Sequence, residues 1–206
     1  MADFFSLIDA AIFHFFNSTL SNPVCDVVMP ALTDWNQSWI GLSIFGGGFL
    51  LFLWKGGRKA RIIGLLMMAL ILFADQFSSH LLKPLFARAR PCHVVDGVRV
   101  VEHVRLLVNC GSGFSFPSSH AVNNFAIAVF LAHYYRRWRW VFLVYAVLMA
   151  MSRVIIGVHF PSDVTGGALI GAGAAFPFIW MAKLVGNAYP GWRIEDERNS
   201  ASREAS

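Results

Sequence analysis

The chain has 206 residues, of which 56% are hydrophobic and only 14% charged. Soluble domains carry about a quarter charged residues, so this composition excludes an ordinary water-soluble enzyme and points to a membrane protein. The net charge of +5 does not indicate nucleic-acid binding. The basic residues fall in short clusters between apolar runs, as the loops of a polytopic membrane protein do.

The chain opens on MADFFSLIDA, with Asp3 and Asp9 where a secretory signal would carry basic residues, so no cleaved signal is expected. Residues 4–16 are apolar but are interrupted by Asp9 and His14. They are read as an amphipathic helix lying at the membrane interface, and residues 1–37 as an interfacial segment. A second short helix is expected over 24–33, followed by Trp35 and Trp39, which suit an aromatic belt.

Five later runs approach the length of a spanning helix, about 20 mostly apolar residues: 38–54, 62–82, 119–135, 140–156 and 164–185. The expected fold is an all-α polytopic membrane helix bundle with about five spanning helices, in a single domain over residues 1–190. Lys55, Arg58, Lys59 and Arg61 join the first two spans, and Arg136, Arg137 and Arg139 join the third and fourth. Basic loops stay in the cytoplasm. That rule puts the polar tail 191–206 inside and leaves residues 83–116 as an extracytoplasmic loop.

Three polar clusters then fall at the outer ends of the spans. Lys83 and Arg90-Pro91 follow the second span, Pro117-Ser118-Ser119-His120 opens the third, and Ser152-Arg153, His159 and Asp163 bridge the fourth and fifth. Ionisable groups at membrane depth are costly and carry a functional reading by default. Lys83, Arg90 and Arg153 are cations without acidic neighbours in sequence, and arginine forks suit phosphate oxygens. Pro117 suits a first helical turn, so the backbone N–H groups of Ser118 and Ser119 are expected to point at an anion. Four residues separate His159 from Asp163, which puts both on one face of a helical turn. Asp163 would then hold the imidazole N–H, His159 would attack phosphorus, and His120 would protonate the leaving oxygen. No metal or cofactor is called for: the cations already face the charge of a transferring phosphoryl group, and the seven histidines lack close metal-ligand spacing.

Written as K-x6-R-P, P-S-S-H and S-R-x5-H-x3-D, these clusters resemble the three signature motifs of the type 2 phosphatidic acid phosphatase superfamily, in its bacterial integral-membrane branch. The resemblance covers residues 83–163 by motif and the flanking spans by architecture. It implies that Lys83, Arg90, Ser118, Ser119 and Arg153 hold phosphate, that His120 is the acid, and that His159 with Asp163 is the nucleophile pair. The usual second motif is P-S-G-H, so Ser119 stands in place of glycine; its backbone N–H survives, and its side chain either narrows the pocket or adds a donor.

The expected activity is hydrolysis of a lipid phosphomonoester or diphosphate through a phosphohistidine, at the inner membrane of a bacterium, with the site facing outward. The resemblance suggests undecaprenyl diphosphate, phosphatidylglycerol phosphate, phosphatidic acid or lipid A as substrate class. A lipid-to-lipid phosphotransferase is the alternative, and a non-catalytic lipid binder or transporter is the rival from another class. Several residues stay outside these assignments. Cys92 and Cys110 form either a loop disulfide or two free thiols, and Cys25 is left to pack. Asp75 is read as an anchor between helices, and Asn123 and Asn124 as orienting or joining groups. His80 is a candidate near the site, His93 and His103 are loop histidines, and Arg88 is either a phosphate or head-group ligand or a solvated side chain.

Overall fold

A computed structural model describes residues 2–34 and 38–188; the expected tail 191–206 and the belt residue Trp35 lie outside the described residues. Eight α-helices follow in order among the described residues: α1 (Ala2–His14), α2 (Pro23–Asp34), α3 (Trp39–Lys55), α4 (Gly57–Gln76), α5 (Lys83–Phe86), α6 (Ser119–Tyr134), α7 (Arg139–Ile155) and α8 (Pro161–Ala188). A two-residue hairpin, β1 (Val94–Val95) with β2 (Val98–Arg99), lies in the long loop. The all-α bundle expected from hydropathy is therefore the fold observed.

Local chemistry sets several boundaries. Ser38 caps α3, its hydroxyl accepting from the Gly41 N–H at 3.0 Å, as N-cap serines do. Helix α4 starts at Gly57, earlier than the apolar run, and continues through a wide turn over Phe77–Leu82 into α5. Pro84 cannot donate to the preceding turn, and a helix adjusts locally around such a residue. The chain turns only at Ala87, in the left-handed region at φ 44°. Pro161 opens α8, the position where a missing N–H costs nothing.

Helix α6 is the axis of the bundle, packed against α8, α7 and α4. Its contact with α8 is close because α8 presents glycine. A Cβ on Gly171 would lie 2.1 Å from the Val122 carbonyl oxygen, and one on Gly167 would lie 2.8 Å from that of Ser118. Such small-residue seams let membrane helices approach where no hydrophobic effect drives them together. One apolar cluster, including Leu70, Val122, Phe130 and Ile179, fills the bundle. A second, including Phe13, Ala121, Val154, Phe160 and Val164, lies beside the polar end.

Three helical stretches are long and apolar enough to cross a membrane alone: Gly57–Phe86, Arg136–Ile155 and Pro161–Asn187. The bent pair α2 and α3 counts as a fourth if it is a single broken span. At 16 residues, α6 is about 24 Å long, short of a full span, and it is enclosed by its neighbours. All five expected runs are helical. The apolar face of α1 is exposed at Phe4, Phe5, Leu7, Ile8 and Ile12, while Phe13 and Asp9 turn inward and are buried.

Candidate active site

The ends of α4–α5, α6, α7 and α8 bring the three polar clusters to one end of the bundle. Lys83 interacts electrostatically with Arg90, Arg153 and Asp163, and His120 with Arg153, His159, Lys83 and Arg90. Lys83, Arg90, His120, Arg153, His159 and Asp163 therefore join one centre; Ser118 is tied to it through its backbone, and Ser119 points its side chain elsewhere.

His159 precedes α8 instead of riding on it. Helix α8 cannot begin before Pro161, so His159 sits in the turn Gly157–Phe160, its N–H donating to the Arg153 carbonyl at 3.2 Å. Gly157 makes that turn at φ 90° and packs against the long loop between α5 and α6: a Cβ there would lie 2.6 Å from the Arg105 carbonyl oxygen. Asp163 reaches back over the helix start and accepts the Phe160 N–H at 2.8 Å, in the manner of a capping box. The same carboxylate oxygen, Oδ2, lies 3.6 Å from His159 Nδ1. That is too long for a direct hydrogen bond. Ser115 flanks the pair, its hydroxyl donating to Asp163 Oδ2 and standing 3.4 Å from His159 Nδ1.

His159 is buried at 2% exposure. Burial is the largest influence on it and pushes its pKa down. Asp163 opposes this while Arg90 and Arg153 add to it, leaving a value of about 4. The imidazole is therefore neutral at ordinary pH, the form that a nucleophile needs.

Arg90 and Arg153 hydrogen-bond to neutral acceptors, which leaves their charge available. Arg90 donates from Nε to the Gly113 carbonyl and from Nη1 to the Cys110 carbonyl, each at 2.8 Å. Burial lowers its pKa and Asp163 raises it. Arg153 donates to the Thr33 hydroxyl at 2.7 Å, and its Nε is buried without a partner. The Ser118 hydroxyl and His120 Nε2 are likewise buried and unpartnered. Buried polar atoms in folded proteins almost always find partners, so this set marks a place shaped for a polar guest.

Two expectations about the second motif change. The Ser118 N–H is not free for an anion, since it donates to the Asp163 carbonyl at 3.1 Å; its hydroxyl is the group left over. Ser119 neither narrows the pocket nor adds a donor to it. Its hydroxyl pairs with those of Ser78 and Ser79, each at 3.3 Å, tying the start of α6 to the wide turn before Lys83. The N–H groups of Ser119 and His120 head the helix, where no intrahelical acceptor exists.

Other assignments resolve plainly. Asp75 accepts from Asn123 Nδ2 at 3.2 Å, joining α4 to α6 as an anchor, and Asn124 donates to the His120 carbonyl within its own helix. Cys92 and Cys110 form a disulfide. His80 and His103 are exposed. His93 braces the loop, with Nε2 at 2.9 Å from the Gly111 carbonyl oxygen. Sequence reasoning missed Ser115, Thr33 and Asp9, and it left Arg88 open; Arg88 pairs with Asp163 at 2.7 Å and with Asp9 at 2.6 Å. Asp9 carried one visible signal, an acid in the middle of the apolar run 4–13.

A family model for the PAP2 superfamily matches residues 64–186, which include all three motifs. The chain belongs to that superfamily. Its PAP2 relatives include the lipid A 4'-phosphatase of Bacteroides thetaiotaomicron, 33% identical over 88% of this chain and 80% of that protein. The lipid A 1-diphosphate synthase of Escherichia coli is 28% identical over 86% of this chain and 77% of its own length. Among solved structures, the transmembrane PAP2 type phosphatidylglycerolphosphate phosphatase of Bacillus subtilis superposes with a TM-score of 0.63 at 28% identity, covering 86% of both chains. The class expected from the motifs is met: this is a membrane lipid phosphatase of the PAP2 superfamily.

Proposed function

We propose that the protein hydrolyses the phosphate of a lipid A-class lipid through a phosphohistidine on His159. The observation that supports this most is the convergence of buried, unpartnered donors and acceptors, on Ser118, His120 and Arg153, beside a neutral His159. A phosphoryl group meets all of them at once. Lys83, Arg90, Arg153 and the Ser118 hydroxyl hold its oxygens, together with the N–H groups of Ser119 and His120.

The Nδ1 side of His159 faces Asp163 and Ser115, so Nε2 is the attacking atom. It forms the N–P bond as the ester P–O bond breaks, and His120 gives its proton to the departing lipid oxygen. Asp163 stabilises the cation that develops on His159. Water then attacks phosphorus, His120 takes its proton, the N–P bond breaks and phosphate leaves. With a diphosphate substrate the departing group is the lipid monophosphate. The cations offset the charge spread over the transferring group.

The substrate class rests on the lipid A relatives, with undecaprenyl diphosphate, phosphatidylglycerol phosphate and phosphatidic acid as the other classes of the superfamily. The basic loops at the opposite end of the bundle support an outward-facing site in a bacterial inner membrane, with five spans once α3 and α6 are included. A second reading is phosphotransfer to an acceptor lipid. It is favoured by the similarity to a diphosphate synthase over 86% of the chain.

The test is phosphate release by purified protein from lipid A, undecaprenyl diphosphate, phosphatidylglycerol phosphate and phosphatidic acid, with His159→Ala as the blank. Release from lipid A that His159→Ala abolishes is expected. Equal release by both proteins overturns the mechanism. Label retained on a second lipid instead of freed as phosphate identifies the transferase.

A further inference from the structure

Helix α1 reaches the site through a single carboxylate. Asp9 is 7% exposed, on a helix whose other long apolar side chains mostly face outward. Its Oδ2 takes Arg88 Nη2 at 2.6 Å and the Ser162 hydroxyl, and its Oδ1 takes the Ser162 N–H at 2.9 Å. The other fork nitrogen of Arg88, Nη1, donates to Asp163 Oδ1 at 2.7 Å and to the Ser162 hydroxyl at 2.6 Å. The guanidinium lies over the Phe160 ring, 4.1 Å from its centroid. Main chain and side chain of Arg88 act together, because the Arg88 carbonyl accepts the Ser115 N–H at 2.7 Å and the Ser115 hydroxyl returns to Asp163.

We propose that Asp9 and Arg88 are positioning residues for the nucleophile pair, forming a carboxylate–guanidinium–carboxylate chain that makes helix α1 part of the active site. The inference rests on His159 and Asp163 acting as proposed above.

The geometry divides the work between the two oxygens of Asp163. Oδ1 is held by Arg88, while Oδ2 faces Ser115 and His159. Arg88 therefore fixes the rotation of the carboxylate without standing between it and the imidazole. Alone, that arginine would pull Asp163 away from His159 and would be free to swing onto phosphate. Asp9 draws the other half of the fork away, so the guanidinium charge is shared between two carboxylates and the pair is locked in place. The sharp turn at Ala87 is what brings Arg88 back against α8. The side-chain partners of Asp9 and Arg88 are Ser162, Asp163, Phe160 and each other, none of them a proposed phosphate ligand, so loss of either acts on the chemical step more than on binding. Misplacement of a catalytic group by about 1 Å costs on the order of a hundredfold.

The test uses the full chain in detergent, on whichever of lipid A, undecaprenyl diphosphate and phosphatidic acid the wild type cleaves fastest. Asp9→Asn and Arg88→Gln are each expected to lower kcat about tenfold or more with KM within about twofold. The double variant is expected to be no slower than Arg88→Gln alone, since both residues act through one chain, and Asp9→Glu to recover part of the loss. Wild-type kcat in Asp9→Asn and Arg88→Gln, beside an inactive His159→Ala, overturns the proposal and leaves the mechanism standing. A raised KM at unchanged kcat also overturns it, by making Arg88 a phosphate ligand. An active His159→Ala instead removes the mechanism itself. If thermal unfolding shows that Asp9→Asn does not fold, Ser162→Ala decides: it removes hydroxyl contacts and keeps every charge, and a severalfold lower kcat supports the proposal while an unchanged one overturns it.

Discussion

The backbone N–H of Ser118 donates to the carbonyl of Asp163 at 3.1 Å. That bond stitches the start of α6 to the start of α8 and commits an amide that an anion would otherwise use. In the proposed mechanism, the group Ser118 gives to phosphate is its hydroxyl, which is buried and without a partner.

Ser118→Ala keeps the stitch and removes only the hydroxyl. A hydrogen bond to a charged group is worth about 1.5–3 kcal/mol. KM for the lipid phosphate, or the inhibition constant of inorganic phosphate, is expected to rise about tenfold or more with the melting temperature unchanged. Unchanged values of both would remove Ser118 from the pocket. Ser119→Gly, which restores the usual second motif, is expected to leave binding unchanged and to loosen only the tie to Ser78 and Ser79.

His159 gives the protein a pH dependence of definite sign. Its folded pKa of about 4 lies below the ordinary value of about 6.5. Between those values the unfolded chain binds the extra proton, so stability rises with pH. The contribution is complete above about pH 6.5, is lost as pH falls toward 4, and changes no further below that. Carboxylates titrate in the same window, so the measurement is a difference: melting temperatures of wild type and His159→Gln from pH 4 to 8. The wild type is expected to lose more stability on acidification than the variant. Parallel curves would show that His159 is not held neutral by burial.

Gly157 sets where His159 stands. At φ 90°, with the Arg105 carbonyl oxygen 2.6 Å from the place of a Cβ, any side chain there meets both backbone strain and a collision with main chain. Such strain alone costs about 1–3 kcal/mol. Gly157→Ala is expected to lower the melting temperature and to cut kcat by more than tenfold, because the turn that carries His159 must shift. Gly46→Ala, where a Cβ meets nothing within 4 Å, is the control and is expected to change neither. Wild-type kcat in Gly157→Ala would free His159 from this turn.

The bundle was legible because its signals are local: apolar length gives the helices, and the spacing of Lys83, Arg90, His120, Arg153, His159 and Asp163 fits one chemistry. The supporting contacts were not legible because they join distant parts of the chain. Asp9 meets Ser162 and Arg88, and Thr33 meets Arg153, and no periodicity in either partner announces the other. The start of α8 shows how one residue shifts a reading. A separation of four puts His159 and Asp163 on one helical face only if both are helical, yet Pro161 starts the helix between them, and Asp163 meets the imidazole by reaching back. Asn17 is similar: it is buried and donates to the Arg105 and Ile155 carbonyls, both at 2.8 Å, pinning the long loop between α5 and α6 to the end of α7.

The Cys92–Cys110 disulfide closes the loop that carries Arg90, and its effect is expected to fall on binding. Cys92 lies two residues beyond Arg90, and the carbonyl of Cys110 itself accepts from Arg90 Nη1, with Gly113 O on Nε. The bridge thus fixes both the backbone that bears the guanidinium and the carbonyls that aim it. Closing a loop of this size is worth about 3 kcal/mol against the opened chain, enough to hold those carbonyls in place. The Cys92→Ser/Cys110→Ser double variant, or wild type treated with dithiothreitol, is expected to show KM for the lipid phosphate raised about tenfold, with kcat reduced far less. His159 and Asp163 stand on other elements, and Arg88 and Ser115 lie outside the bridged segment 92–110, so the chemical step keeps most of its geometry. A fall in kcat at constant KM would instead tie the loop to the nucleophile, and no change in either would leave Arg90 held by its carbonyls without help from the bridge.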